Sequence, residues 1–306
     1  LRGQPLSFRG FSDDMIDIAD TASGKTHRDE NFPVASFLLA KRHHAPIMAF
    51  YDFVRAADDI SDHPTLTGTE KIALLDRLDA ALAGAGPDEI VAARLRTLCK
   101  ERRLNIQHAH DLLVAFRRDI TKLRYNNWQE LMDYCRYSAM PVGRFVLDVH
   151  GEKEEKTWPA NDALCAALQI INHLQDCGKD YRSLNRIYLT RDLMHKYCAT
   201  DEMLGHQSAS PAMCAVIKDL VEQTATLLDQ SRDFAESIQD TRLAMEVGAI
   251  QALAEKLTSR LRNSDPLSQN VHANKLSFAL TGAYGALNAL VRRPLRAWRL
   301  AMDPAQ

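Results

Sequence analysis

No stretch of this chain holds the roughly 18 consecutive apolar residues of a membrane span. No Cys-x-x-Cys pair occurs either. The 6 cysteines, at positions 99, 135, 165, 177, 198 and 214, are scattered, mostly among apolar residues at helical spacing. They read as reduced core thiols, which argues against a disulfide framework or a zinc site. There is no Gly-x-Gly-x-x-Gly turn and no phosphate-binding P-loop, so neither a dinucleotide fingerprint nor a nucleotide-phosphate cradle is present. Glycine (13) and proline (11) are sparse for 306 residues, and no segment alternates apolar with polar residues as a half-buried strand does. Charge of either sign is not in excess: 38 Lys and Arg against 40 Asp and Glu leave −2, which offers no footprint for nucleic acid. The N-terminal residues lack the apolar core of a secretory signal, so a cytoplasmic protein is expected. No internal repeat is visible.

What is present is a chain 46% hydrophobic and 25% charged, ordinary for a globular protein, written almost throughout in a helical period. Helices are expected near residues 50–62, 71–83, 87–104, 108–123, 127–149, 162–180, 211–234, 243–261 and 271–300, and at 31–39, where Pro33 suits a first turn. Lys41, Arg42, His43 and His44 follow that last stretch as either an anion-facing patch or a solvated helix end. Pro141 and Gly143 fall inside the pattern at 127–149 and predict a kink. Residues 151–159 are charged and end in proline, which predicts a loop. The expected architecture is all-α: a single-domain helical bundle around a central cavity, spanning residues 30–300, with 1–29 as a flexible leader and 301–306 as a tail.

Chemistry concentrates in two of these helices. Residues 51–62 read YDFVRAADDISD. Asp58 and Asp62 stand four residues apart, on one helix face and about 6 Å apart along the axis. Two carboxylates so placed repel each other and need solvent, a proton or a counter-charge. On its own the pair is either an exposed acidic helix end, stopped by Pro64, or half of a cation site. The second stretch, 169–180, carries Gln169, Asn172, Asp176 and Asp180 at three- and four-residue steps, again along one face, in a helix otherwise rich in Leu, Ile and Ala. If the two helices are antiparallel, two carboxylate clusters face each other across one cavity. Carboxylates, water and phosphate oxygens suit Mg2+ better than soft metals, so metal-bridged recognition of a diphosphate is the chemistry this pairing favours. Arg182, Asn185 and Arg186 follow the second motif as candidate phosphate contacts.

These stretches also carry a resemblance. YDFVRAADDISD at 51–62, YCRYSAMPVGRFV at 134–146 and QIINHLQDCGKDYRSLNRIYL at 169–189 resemble the squalene/phytoene synthase family, over roughly residues 30–290. The resemblance implies an isoprenoid synthase helical bundle acting on a prenyl diphosphate with Mg2+. It implies Asp58, Asp62, Asn172, Asp176 and Asp180 as the metal-binding set, with Tyr51, Arg55 and Gln169 at further active-site positions.

NFPVAS at 31–36, FRRDITKLRY at 116–125 and SAMPVG at 138–143 are most similar to the branch of the family in hopanoid biosynthesis. That implies conversion of presqualene diphosphate and water to hydroxysqualene and diphosphate, with no NADPH required, and a transient partnership with the synthase that makes presqualene diphosphate. Squalene formation with NADPH, phytoene formation and a non-enzymatic assembly factor of the same fold are the alternatives. Gln175, Lys179 and Thr190 depart from residues common in squalene and phytoene synthases. At the other end, Leu, Val, Ala and Trp298 alternate with Arg292, Arg293, Arg296 and Arg299, which predicts peripheral contact with the inner face of the cytoplasmic membrane.

Overall fold

The computed structural model describes residues 18–21, 39–272 and 275–302. Apart from a 3-10 turn at Ile18–Thr21, the expected leader and nearly all of the expected helix at 31–39 lie outside the described residues. The rest is helical: α1 (Lys41–Asp62), α2 (Gly68–Ala83), α3 (Ile90–Arg102), α4 (Gln107–Thr121), α5 (Trp128–Ser138), α6 (Met140–His150), α7 (Glu154–Leu184), α8 (Arg191–Lys196), α9 (Pro211–Gln230), α10 (Phe234–Ser237), α11 (Thr241–Asn263) and α12 (Lys275–Met302). Among the described residues the only β pairing is an isolated parallel bridge between Arg124 and Ile187.

Prolines do not mark boundaries uniformly. Pro46 lies inside α1, which therefore begins at Lys41 instead of near Phe50, and the 41–44 cluster is its first turn. A proline at position 46 cannot bond the carbonyl of Arg42. Arg102 Nη1 takes that carbonyl instead, at 2.8 Å, so the lost helical bond is replaced. Pro159 likewise lies within α7, and the expected loop at 151–159 shrinks to three residues before Glu154. Pro141 does coincide with a break: Ala139, at φ −127° and ψ −46°, separates α5 from α6, so the expected kink is a division into two helices. The capping box of Thr67 and Glu70 opens α2, and Gly84 closes it in left-handed backbone at φ 80°.

Two apolar clusters hold the bundle. In one, Phe50, Phe53, Ala57 and Ile60 of α1 pack with Leu75 and Leu78 of α2, Leu95 of α3 and Leu113 of α4. In the other, Ile170, Ile171 and Leu174 of α7 pack with Val216 and Leu220 of α9 and Leu257 of α11. Each buried Leu, Ile, Val or Phe side chain among them contributes about 1.5–3 kcal/mol. Helix α6 joins them: Phe145 stacks on Phe50 at 4.1 Å, while Gly143 lets α6 approach α7. A Cβ on Gly143 would overlap Asn161 Oδ1 and lie 2.7 Å from Cys165 Sγ. Gly143→Ala should therefore lower unfolding free energy by about 1–3 kcal/mol in urea titrations. Unchanged stability would show that α6 can back away from α7. The six cysteines are free thiols. Cys99, Cys135 and Cys177 are buried and Cys165 half-buried, but Cys198 and Cys214 are exposed, which corrects the expectation that they belong to the core. Cys198 follows α8 in a left-handed turn, and Cys214 sits in the first turn of α9.

Candidate active site

A pocket of about 330 Å³ lies among α1, α6, α7, α10 and α11. Its α1 wall is Ile47, Phe50, Tyr51 and Val54; its α7 wall runs from Asn161 through Leu164, Cys165 and Leu168 to Gln169 and Asn172. Both walls obey the three- and four-residue spacing that keeps one helix face inward. The same faces continue past the pocket into the acidic motifs. Asp58 is one turn beyond Val54, and Asp176 one turn beyond Asn172.

The C-terminal ends of these helices come together. Arg186, two residues beyond α7, donates through Nη1 to Oδ1 of Asp62, the last residue of α1, at 2.7 Å. Both helices thus pass the pocket first and end at its acidic side. The antiparallel arrangement entertained from sequence is replaced by one in which the two helices run the same way relative to the pocket.

The loop after α7 reaches this point because it runs beside the segment after α4. Ile187 N donates to Leu123 O at 3.0 Å, and Arg191 N to Tyr125 O at 2.9 Å. The guanidinium of Arg186 also donates from Nε to Asp119 O at 3.0 Å and from Nη2 to Ser61 O at 3.4 Å. Lys71 Nζ reaches Ser61 O at 2.9 Å, which brings a second cation to the end of α1.

Behind Arg186 is a buried polar network that sequence reasoning missed. The carboxylate of Asp119 accepts from Tyr134 Oη at 3.0 Å and Tyr188 Oη at 3.2 Å. The Tyr188 ring stacks on His173, 3.4 Å between centroids, and His173 Nε2 bonds Gln169 Nε2 at 3.0 Å. Gln169 on the pocket wall is thereby linked to Arg186 and Asp62. Arg186 stood out in sequence only as a basic residue after the second motif; Asp119 and Tyr188 gave no separate signal.

Burial pushes the Asp119 carboxyl up to about 6, against the opposing pull of Arg186 and the Tyr134 hydroxyl. A raised carboxyl pKa favours the folded state while the group is protonated, so that contribution is whole below the ordinary value near 4 and is lost as pH rises through about 6. Unfolding free energy should fall by on the order of 2–3 kcal/mol between about pH 4 and pH 7 from this group. Urea titrations of Asp119→Asn should lack that component. An identical slope in the variant would remove Asp119 as its source.

The eight residues expected from sequence divide in two. Tyr51, Gln169 and Asn172 line the pocket. Asp58, Asp62, Asp176 and Asp180 retain partial exposure of 33, 36, 31 and 18%. Asp176 lies 3.7 Å from His272 and Asp180 3.9 Å from His173. Arg55 reaches Asp58 at 2.9 Å and Asp59 at 2.7 Å. Asp59 is buried, so Arg55 also stabilises the helix locally, a structural role its sequence position did not disclose.

The donor set fits Mg2+. It consists of carboxylate oxygens and one amide, with a pair of acids in each motif. Among the described residues no three His, Cys, Asp or Glu side chains stand close enough to hold a metal ion by themselves. Mg2+ typically takes one or two carboxylates and fills its remaining positions with water and substrate phosphate oxygens, which two separate acidic pairs permit.

Comparison with known proteins identifies the family. The chain is 52% identical over 280 residues to the hydroxysqualene synthase of Rhodopseudomonas palustris, covering 91% of this chain and 95% of that one. It is 49% identical over 271 residues to the hydroxysqualene synthase of Sinorhizobium fredii, covering 89% and 92%. The crystal structure of squalene synthase HpnC from Alicyclobacillus acidocaldarius superposes with a TM-score of 0.68 at 30% identity, covering 80% of this chain and 91% of that one. The squalene/phytoene synthase model matches residues 25–277. That span contains both acidic helices, the pocket and the Arg186 loop between them, and the chain belongs to the squalene/phytoene synthase family.

Proposed function

We propose that this chain converts presqualene diphosphate and water to hydroxysqualene and diphosphate. The observation that carries the reading is an apolar pocket whose two principal walls, α1 and α7, each run on into an acidic motif. A prenyl diphosphate has the matching division: hydrocarbon for the pocket and a polyanion for the charged end. The volume, about 330 Å³, lies within the roughly 300–1,000 Å³ usual for small-molecule sites. We take this pocket as the central cavity of the bundle.

The residues assigned to Mg2+ are Asp58, Asp62, Asn172, Asp176 and Asp180. When bound, the metal neutralises charge on the departing diphosphate. The protein's own groups do the rest. Arg186 and Lys71 add fixed positive charge near the end of α1. Tyr51, Gln169 and Asn172 are the polar wall residues nearest the motifs and orient the reacting end. Phe50, Val54, Leu164 and Leu168 surround the carbocation with groups that neither add to it nor solvate it as bulk water would. Capture by one water then ends the sequence as an alcohol.

The solved relative described as a squalene synthase motivates a second reading, in which a hydride ends the cation and squalene leaves. Incubation of purified protein with presqualene diphosphate and Mg2+ in 18O-water, with and without NADPH, separates the two. Labelled hydroxysqualene, independent of NADPH, is the expected result. Squalene as the main product, formed only with NADPH, would overturn it.

No described helix is long and apolar enough to cross a membrane. We also propose peripheral contact with anionic lipid, through α12. Leu280, Tyr284, Leu287 and Val291 follow one face at steps of four, three and four, each 61–67% exposed. Arg292 is exposed beside them, whereas Arg293 donates to Ile238 O and Gln239 O and is engaged within the fold. The side chains of Arg296, Trp298 and Arg299 lie outside the described residues. An apolar stripe edged by arginine suits a lipid surface, and the water-insoluble hydrocarbon product gives the enzyme reason to sit there. A transient handover from the enzyme that makes presqualene diphosphate follows from the same insolubility. Cosedimentation with anionic vesicles should fall several-fold when Leu280, Tyr284, Leu287 and Val291 are changed together to Ser. Unchanged binding, with a dimer converted to monomer instead, would reassign the stripe to self-association.

A further inference from the structure

Ser138, the last residue of α5, lines the pocket, and its Oγ is buried with no hydrogen-bond partner among the described residues. Among the described lining residues it is the sole buried side-chain oxygen or nitrogen in that condition. The other polar lining groups are engaged. Asn161 Nδ2 donates to Met140 O at 3.3 Å, Gln169 Nε2 bonds His173 Nε2 at 3.0 Å, and Tyr51, Asn172 and Glu246 each hold an interaction within the protein. A serine or threonine inside a helix can satisfy its hydroxyl on the carbonyl four residues before it. Thr157, Ser183, Thr224 and Thr258 do so here, whereas Ser138 does not. A buried hydroxyl with no partner, in a wall shared with Ala139, Val142 and Val146, carries a desolvation cost that alanine would avoid. No hydrogen bond holds it in its rotamer, so rotation about χ1 turns it to the cavity with no bond broken. Its place along the pocket matters too. Tyr134, one turn earlier on the same face of α5, has its ring 5.9 Å from that of His173, which bonds Gln169 on the wall that runs on into the second acidic motif. Ser138 is thus about one helical turn from the level of His173.

We propose that Ser138 is a positioning residue whose hydroxyl holds the water that captures the cation. This rests on the hydroxysqualene-forming reading above and names the group that decides between capture and elimination. Ser138 Oγ accepts a hydrogen bond from one O–H of the water, which leaves a lone pair of the water oxygen free to face the cation. That pair forms the new C–O bond. One O–H bond of the resulting oxonium then breaks with its electrons remaining on oxygen, and the proton passes to the diphosphate released in the same turnover. The products are a neutral alcohol and a diphosphate carrying one more proton; nothing is oxidised or reduced, and the serine is unchanged. A single free hydroxyl beside Ala139, Val142 and Val146 admits one oriented water to a stretch of wall that otherwise excludes solvent.

The test separates ionisation from capture. Wild type, Ser138→Ala and Ser138→Thr are each given presqualene diphosphate with Mg2+ in 18O-water, and diphosphate release and labelled hydroxysqualene are measured together, alongside thermal melting. The expected result for Ser138→Ala is a ratio of hydroxysqualene to diphosphate reduced about ten-fold, with eliminated hydrocarbons making up the difference, the scale of one lost hydrogen bond. Ser138→Thr, which keeps the hydroxyl, should hold the ratio within about three-fold of wild type. The ratio reports how one cation is partitioned, so a merely structural loss of active enzyme lowers both quantities and leaves it unmoved. An unchanged ratio in Ser138→Ala overturns the proposal. An equal fall in Ser138→Thr does so too, since the shape of the wall and not its hydroxyl would then decide, and so does loss of the fold in both variants, which would make Ser138 a structural residue. If wild type itself forms no labelled hydroxysqualene, the functional reading fails and this proposal with it, a result distinct from the others because it precedes any substitution.

Discussion

Asp176→Asn is expected to lower kcat/KM for presqualene diphosphate by about 10²–10³-fold while leaving the fold in place, the scale set by losing one group that stabilises developing charge. The argument has two parts. Asp176 continues the inward face of α7 one turn past Asn172, so it stands where the apolar pocket gives way to charge. Its structural commitments are slight: the side chain is 31% exposed, and its ion-pair contact with His272 is long at 3.7 Å. Pairs of that kind contribute about 0–1 kcal/mol. The substitution is nearly isosteric, so melting should move little. Titrating Mg2+ adds a discriminating readout, because a weakened metal site is partly rescued by excess cation and a misfolded one is not. Retention of kcat/KM within about three-fold at every Mg2+ concentration would remove Asp176 from the metal-binding set.

Both acidic helices were legible in sequence because everything that identifies them is local. Asp58 and Asp62, or Asn172, Asp176 and Asp180, share a face by spacing alone, and the apolar residues before them share it too. Helix ends were less legible where a proline intervened. Pro46 removes a helical hydrogen bond to the Arg42 carbonyl, but the fold supplies Arg102 from α3 to take it. The donor is 60 residues away in sequence and gives no sign of its target.

The same limit hid the core of the site. Arg186 and Asp62 are separated by 124 residues, and Arg186 and Asp119 by 67. Asp119 lies in a helix that also carries Arg117 and Arg118, with Lys122 just past its end, and by pattern it passes for one more solvated charge. Only the pairing of the post-α4 and post-α7 segments turns it inward beneath Tyr134 and Tyr188. Helical periodicity reports which residues share a face; it does not report which faces meet.

Arg186→Met should be the most damaging single change, reducing both stability and turnover. The residue is 8% exposed, and its guanidinium satisfies acceptors from three residues: the Asp119 carbonyl, the Asp62 carboxylate and the Ser61 carbonyl. Burial alone would lower the pKa of its guanidinium; the carboxylates of Asp119 and Asp62 raise it instead, so it remains a cation. Methionine fills similar volume but leaves the Asp119 and Ser61 carbonyls without their donor and the buried Asp119 carboxylate without its counter-charge, at a cost of about 3–5 kcal/mol. Arg186→Lys should recover only part of this, since an ammonium cannot span three separated acceptors as a planar fork does. The source of the loss is separable. In the double variant Arg186→Met with Asp62→Asn the stranded carboxylate is gone, and stability should recover by about 1–2 kcal/mol relative to Arg186→Met alone, whereas turnover should not recover because both the cation and the acid at the end of α1 are missing. Additive stability losses in the double variant would mean that Asp62 and Arg186 act independently, and that the contact between the ends of α1 and α7 is not what holds the acidic motifs together.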